Sequence, residues 1–462
     1  MSPGPAPEWP SDRWLPWPPP RSWRGTSRNA APGPAVSRRV LSHTPHERFG
    51  PDGQARHMGI ASLSLLRGPL AEGVLTAAIG ECGASLDELR LADVRVHPGG
   101  AVRTRYLVDV RRADGRRSRE ALVAATGDFI PTGATVVAGE HLGEHIEVGV
   151  WRLAHDPALP GLKILEEPTR IADLFSASGL VLSGAPTIAV LAYRPAQRAV
   201  LAVSAGCSRW FVKVVHPCAV ADLRVRHDML ADRLPVPPVL AATSDGLVLL
   251  PEAPGTLLRD VLSSSAEAGG VALPAPAEFE KLLDGLPDDL VRLPRRRSIL
   301  QRVHDSVEVL RMCAESDPSV PAPLAAELAS EANRLADKIL STSQAPADAH
   351  DPVHGDFYHN QLLTAGGQFT GLLDVDTAGP GERVDDWATL IGYLSVLGMS
   401  HETARTYCAE VLGYAERRVP PADLRARAAA VVLGLVPAPF RAQRTDWPSH
   451  AAERLALARA WL

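Results

Sequence analysis

His354-Gly355-Asp356-Phe357-Tyr358-His359-Asn360-Gln361 runs directly into Leu362 to Ala365, then Gly366-Gly367, then Phe369 to Leu373, and ends on Asp374. Two short segments joined by paired glycines read as a tight β-hairpin, because glycine enters the left-handed turn region at least cost. Such a hairpin turns Asp356 and Asp374 towards one cleft, with the amide of Gln361 between them in sequence. The order is carboxylate, polar amide, hairpin, second carboxylate, which suits phosphoryl transfer. One acid orients an attacking hydroxyl and takes its proton, while another carboxylate and an amide oxygen hold Mg2+ on nucleotide phosphates.

Upstream, Phe211-Val212-Lys213-Val214-Val215 places a lysine between valines in a strand pattern. The chain has only four lysines among its 48 basic residues, so this one stands out. A buried ammonium needs an anionic partner, whereas an edge-strand lysine would snorkel to water. Next comes Leu234-Pro235-Val236-Pro237-Pro238-Val239-Leu240, and then Leu247 to Leu250 leading into Pro251-Glu252-Ala253-Pro254-Gly255. From Leu257 on the pattern turns helical: Ile299 to Ala314, Leu324 to Leu340, Glu402 to Tyr414, Leu424 to Leu435 and Ala451 to Leu462 carry apolar residues at helical spacing. Before Lys213 the pattern is β-rich. Val102 to Arg111 and Arg119 to Ala125 flank a turn at Ala113-Asp114-Gly115, and a second hairpin runs from Arg198 to Val203 and back from Arg209 to Val215. Leu70 to Glu81 reads as a short helix. A small β-rich half followed by a larger helical half is α+β.

HGDFYHNQ and LLDVDTAGPGERVDDWA resemble the HGDxxxxN catalytic loop and the IDWxxA metal element of the aminoglycoside-phosphotransferase family, whose fold is bilobal and protein-kinase-like. The resemblance runs in order from Tyr193 to Leu462. It implies Asp356 as catalytic base, Asp374 and Gln361 as Mg2+ ligands, and His354 and Asp386 as supports of the catalytic loop. It also implies Lys213 on the phosphates of ATP or GTP, and the backbone near Glu252 and Ala253 on the base. Gln361 stands where the family has asparagine. No glutamate matches the usual helix acid, and Asp222 is the candidate in its place, ahead of Asp228. No GxGxxG lies over the phosphates. The domains expected are a disordered Pro/Arg-rich extension (1–55), a β-rich accessory subdomain (56–180), a kinase-like N-lobe (181–252) and a helical C-lobe (253–462). The accessory layer is loosely similar to N-terminally extended maltokinase-type members. The expected activity moves a γ-phosphoryl group to a hydroxyl of a small molecule such as a sugar, an amino alcohol or an aminoglycoside. The alternative is a catalytically silent kinase-like binding or regulatory protein.

Composition agrees with a folded, cytoplasmic chain. It is 45% hydrophobic and 22% charged, and a net charge of −5 argues against a nucleic-acid binder. The cysteines are odd in number with no CxxC pair, which reads as reduced thiols. No apolar run reaches membrane length, so neither a nucleic acid nor a membrane is expected as partner, and the chain is read as a monomer or homodimer. His141-Leu142-Gly143-Glu144-His145 fits the HxxEH pattern of zinc peptidases. However, Gly139 and Gly143 weaken the helix it needs, and a polar loop is the competing reading.

Overall fold

The computed structural model describes residues 37–40, 52–80, 85–112, 114–167, 169–264, 272–344 and 351–462. Most of the N-terminal extension expected to be disordered, including its four tryptophans, lies outside these residues. Within it, Ser37–Val40 forms an edge strand, β1.

After helices α1 (Asp52–Arg67) and α2 (Ala71–Ile79) come β2 (Ser85–Val96), β3 (Val102–Arg111), β4 (Arg117–Thr126), β5 (Thr135–His141) and β6 (Glu144–Arg152). They build an antiparallel six-stranded sheet in the order β1-β5-β6-β4-β3-β2. The side-chain alternation of β4 shows why both faces are covered. Leu122 and Ala124 pack towards α1 and α2, while Ala121, Val123 and Ala125 pack away from them against a second sheet.

That second sheet contains β7 (Thr187–Arg194), β8 (Arg198–Ala205), β9 (Ser208–Val215), β10 (Ala241–Ala242) and β11 (Leu247–Pro251), in the order β10-β11-β9-β8-β7. In sequence α3 (Thr169–Ala177) precedes it, and α4 (Val220–Ala231) lies between β9 and β10. Val212 and Val214 of β9 enter the core shared with the first sheet. Lys213 therefore emerges on the other face, beside Val215, which packs with Leu223 of α4.

The rest of the chain is mostly helical: α5 (Leu258–Ser263), α6 (Pro276–Asp284), α7 (Val303–Ser316), α8 (Ala322–Thr342), α9 (Arg383–Gly398), α10 (Glu402–Ala415), α11 (Pro421–Leu435), α12 (Ala438–Arg441) and α13 (Trp447–Ala460). Two small sheets sit on this body. One joins β12 (Thr256–Leu257) to the hairpin β14 (Leu362–Ala365) and β15 (Gln368–Leu372), and the other pairs β13 (Asp351–Val353) with β16 (Gly379–Gly381). The fold is thus a bilobal α+β arrangement, a β-rich lobe over a helical one, with an additional β layer in front. No helix among the described residues is long and apolar enough to cross a membrane.

The first sheet's layer reaches both lobes. Arg103 on β3 donates to the Pro195 carbonyl across 2.5 Å, ahead of β8. On the helical side, Arg67 at the end of α1 donates to Asp317 across 3.0 Å, and Trp447 Nε1 donates to the same carboxylate across 2.9 Å.

The HxxEH stretch is not helical. Glu140 and His141 end β5, Leu142 and Gly143 form the turn with φ of 52° and 79°, and Glu144 and His145 open β6. The histidine spacing that would put both imidazoles on one helix face is therefore lost. His141 bonds Ser64 and His145 bonds Glu140 instead. The paired left-handed turn that leucine and glycine adopt here closes a two-residue hairpin.

Within the helical lobe, Arg427 on α11 is 1% exposed and meets three carboxylates: Glu382 at 2.6 Å, Asp385 at 2.7 Å and Asp423 at 3.1 Å. This cluster fixes α11 against the start of α9. Arg427→Ala leaves those acids without their shared cation, and a loss of about 3–5 kcal/mol is expected in urea unfolding.

Candidate active site

The loop after β13 is built around Asp386, in the first turn of α9. Its carboxylate accepts from the backbone N–H of His354 at 2.8 Å and of Gly355 at 2.9 Å. Burial raises the Asp386 pKa, while His354 and the two N–H groups pull against that shift. Gly355 has φ of +77°, and a Cβ there would come within 2.8 Å of the Thr377 carbonyl, so no side chain fits. Burial holds the His354 imidazole below its usual pKa, against the pull of Asp386. In its neutral form the ring donates from Nε2 to the Leu373 carbonyl at 3.0 Å and accepts the Asp356 N–H at Nδ1, 3.3 Å away. One histidine thus ties the Asp356 loop to the end of the hairpin.

The hairpin β14–β15 delivers the second acid. Leu373 N–H bonds the Gln361 carbonyl at 2.7 Å, and Asp374 then takes the left-handed region at φ 57°, ψ 48°. This backbone turn aims Asp374 back towards Asp356. The Gln361 amide lies between them, 3.5 Å from an Asp356 oxygen and 3.4 Å from an Asp374 oxygen. The neighbouring Asn360 amide faces His359 instead.

Two cations come down from the second sheet. Lys213 Nζ lies 2.5 Å from Asp376 and 3.3 Å from Asp374. Arg198 forks onto Asp374, with Nη1 at 2.8 Å from Oδ1 and Nη2 at 2.7 Å from Oδ2, and Nη1 also reaches Asp376 at 3.0 Å. Burial pulls the Lys213 pKa down, but Asp376 and Asp374 more than offset it and leave it raised. For Asp374, burial opposes ionisation, yet Lys213 and Arg198 hold its pKa well below the usual carboxylate range. Among the described residues Asp356 receives no such direct pairing. Burial first, and then the charge of Asp374, push its pKa up to about 6, although Arg194, Arg198 and Arg302 oppose the rise. The two neighbouring acids are therefore electrostatically unlike: one a fixed anion, one poised to exchange a proton near neutrality.

Not every expected residue takes its expected place. Asp222 is exposed in the first turn of α4, and Lys213 pairs with Asp374 and Asp376 instead of with that helix. The α4 residue whose charge environment includes Lys213 is His227, which is 2% exposed. Its Nδ1 donates to the Pro237 carbonyl at 2.8 Å, and its buried Nε2 has no partner among the described residues. Burial, then Lys213, lower its pKa. Glu252 is exposed at the end of β11, and its carboxylate lies 3.6 Å from Arg209. Asp376 and Arg198 are site residues that the sequence reading passed over. The D-x-D spacing of Asp374 and Asp376 marks the first, and the position of Arg198 immediately after the β7–β8 turn marks the second.

The oxygens gathered here fit Mg2+, a hard cation that prefers carboxylate and amide oxygen. Asp374 and Asp376 would hold it, joined by the side-chain oxygen of Gln361 once that amide turns over, since its N–H2 group is what faces Asp356 and Asp374.

No protein-family model matches the chain, and no curated protein matches it in sequence. Solved structures do align with it. A thermostable mutant of the aminoglycoside phosphotransferase APH(4)-Ia, in ternary complex with ADP and hygromycin B, aligns at 17% identity over 63% of this chain and 97% of that one, with a TM-score of 0.43. The GDP complex of aminoglycoside 2'-phosphotransferase-IIIa aligns at 15% identity over 63% and 98%, TM-score 0.40. Choline kinase from Cryptosporidium parvum Iowa II aligns at 10% identity over 60% and 88%, TM-score 0.40. These are likenesses in the course of the chain at low identity, and the functional reading rests on the side chains above.

Asp386→Ala removes the acceptor of two loop N–H groups. Each charge-assisted bond contributes about 1.5–3 kcal/mol, so unfolding free energy should fall by roughly 3 kcal/mol or more in a urea titration.

Proposed function

We propose that this protein is an ATP- or GTP-dependent phosphotransferase that moves the γ-phosphoryl group to a hydroxyl of a small molecule. The observation that carries the reading is the contrast between Asp356, poised near neutrality, and the anion pair Asp374–Asp376 beneath Lys213.

In this mechanism the acceptor hydroxyl donates a hydrogen bond to Asp356. As its oxygen bonds to the γ-phosphorus and the bond to the β-phosphate oxygen breaks, its proton passes to the Asp356 carboxylate. Lys213 neutralises phosphate oxygens from the second sheet, and the backbone at Glu252 and Ala253 holds the base. Asp374, Asp376 and Gln361 are the residues that would hold Mg2+, which supplies charge neutralisation on the phosphates when bound. His354 and Asp386 position Asp356 without touching the reactants.

The acceptor is a sugar, an amino alcohol or an aminoglycoside-like compound. Two acidic side chains near the helical end are already committed: Asp385 to Arg427, and Asp446 to Arg444 and His450. A cationic acceptor would find neither of them unpaired. The additional β layer is the feature that supports the loose likeness to N-terminally extended maltokinase-type members. A second reading, a catalytically silent binding protein, is favoured by one observation: α4 offers Lys213 a neutral histidine and no buried acid.

Calorimetric titration with ATP and with GTP, with and without Mg2+, separates the two readings when followed by ADP or GDP release in the presence of sugars, amino alcohols and aminoglycosides. Wild type should bind one nucleotide in a Mg2+-dependent way, and Asp374→Asn should abolish that binding. Asp356→Asn should keep binding and lose turnover by about 10²–10⁴-fold. A folded wild type that binds neither nucleotide would overturn the proposal. Nucleotide binding without turnover on any acceptor would favour the silent protein.

A further inference from the structure

In kinase-like sites a glycine-rich turn lends its backbone N–H groups to the phosphates. Here the turn between β7 and β8 is Arg194-Pro195-Ala196-Gln197-Arg198, and its N–H groups are already used. Pro195 has none. Ala196, at φ 56°, donates to buried Asp156 at 2.7 Å, and Gln197 donates to the Arg194 carbonyl at 3.0 Å. The turn is also held from behind. The Pro195 carbonyl accepts from Arg103 of the first sheet, and Tyr193 donates to Asp156 at 2.8 Å. A turn pinned in this way cannot wrap phosphates with its backbone. It carries an arginine at each end instead.

Both arginines bear on the acidic cluster. Arg198 covers both oxygens of Asp374 and one of Asp376. Arg194 lowers the pKa of Asp356 and of Asp374 through space. A guanidinium fork matches a carboxylate and a phosphate equally well, two parallel N–H groups to two oxygens. The oxygens that Arg198 covers are the same ones that would hold a metal ion, so guanidinium and metal cannot both occupy them.

We infer that Arg198 is an exchangeable counter-ion. It pairs with Asp374 and Asp376 while the cleft is empty, yields those carboxylates to the metal of an incoming metal–nucleoside triphosphate, and then forks onto the phosphates beside Arg194. This inference rests on the phosphotransferase reading, and it adds that side chains of the β7–β8 turn do the work that backbone amides do elsewhere. The exchange keeps charge balanced: the carboxylates trade one cation for another, and the displaced guanidinium finds a new anion in the ligand.

The inference makes opposite predictions for two ligands. Mn2+ alone, followed by the electron paramagnetic resonance of the free ion, must compete with Arg198. Mg2+–ATP, followed by calorimetry, must recruit it. Arg198→Gln should therefore bind Mn2+ alone about tenfold more tightly and Mg2+–ATP about tenfold more weakly, since a charge-assisted pair is lost in each case. Arg198→Lys keeps the charge and loses the fork, so it should bind Mn2+ as wild type does and Mg2+–ATP more weakly. Unchanged Mn2+ affinity in Arg198→Gln, or shifts of both ligands in the same direction, would overturn the idea and leave Arg198 a tie between lobes. Should Arg198→Gln not fold, by circular dichroism, Arg198→Lys decides alone: wild-type affinity for both ligands sinks the exchange. Wild type that binds no nucleotide would instead count against the phosphotransferase reading, so the two failures are distinguishable.

Discussion

Two carboxylates from one hairpin meet two cations from one sheet, and the site is assembled around that meeting. Asp374 and Asp376 are mostly buried, and acids of the same sign that close to each other are not stable without positive charge beside them. Lys213 and Arg198 supply it from across the cleft. Each then depends on its own strand. Lys213 points into the cleft because Val212 and Val214 point out of it into the core between the sheets, and Arg198 is where it is because β8 starts there. Charge in the cleft and apolar packing behind it are two faces of the same strands.

Much of this was legible in the sequence. HGD, a paired-glycine hairpin and a second aspartate fix a local geometry through short-range rules: turn glycines, strand alternation and the reach of a hairpin. The hairpins of β3–β4 and β8–β9 and the long helices were readable for the same reason. The pairing of Lys213 was not readable. Its partner is set by which element comes to lie under β9, and the family resemblance pointed to a helix acid, Asp222, where the fold presents Asp376. Arg198 was missed because the expected signal at a phosphate-binding turn is glycine, and an arginine beside a proline does not announce itself. The HxxEH stretch was ambiguous in sequence because its spacing suits a helix and its glycines do not. Pairing with β6 settles it as a hairpin end.

Histidine recurs in the support of the site in a consistent way. His354 and His227 are both buried, both held below the usual pKa by that burial, and both donate one ring N–H to a backbone carbonyl. The second nitrogen is where they differ. In His354 it accepts the Asp356 N–H, which orients the loop. In His227 it is buried with no partner among the described residues, and Lys213 acts on the ring through space. A neutral ring neither fixes a lysine as strongly as a carboxylate does nor adds charge to a cleft that already holds three aspartates.

The first sheet has a mechanical meaning for the cleft. Two lobes with a cleft between them can swing about the segment that joins them, like the covers of a book. Here a third body grips both covers at once, through Arg103 on the Pro195 turn and through Arg67 and its neighbours on α7 and α13. Any swing that widens the cleft must shear one of those grips or slide a sheet packed on both faces, and tightly packed layers resist sliding. The width of the cleft is thereby set from outside it. Adaptation to a ligand is left to the rotamers of side chains that line it, with no large rotation of one lobe against the other.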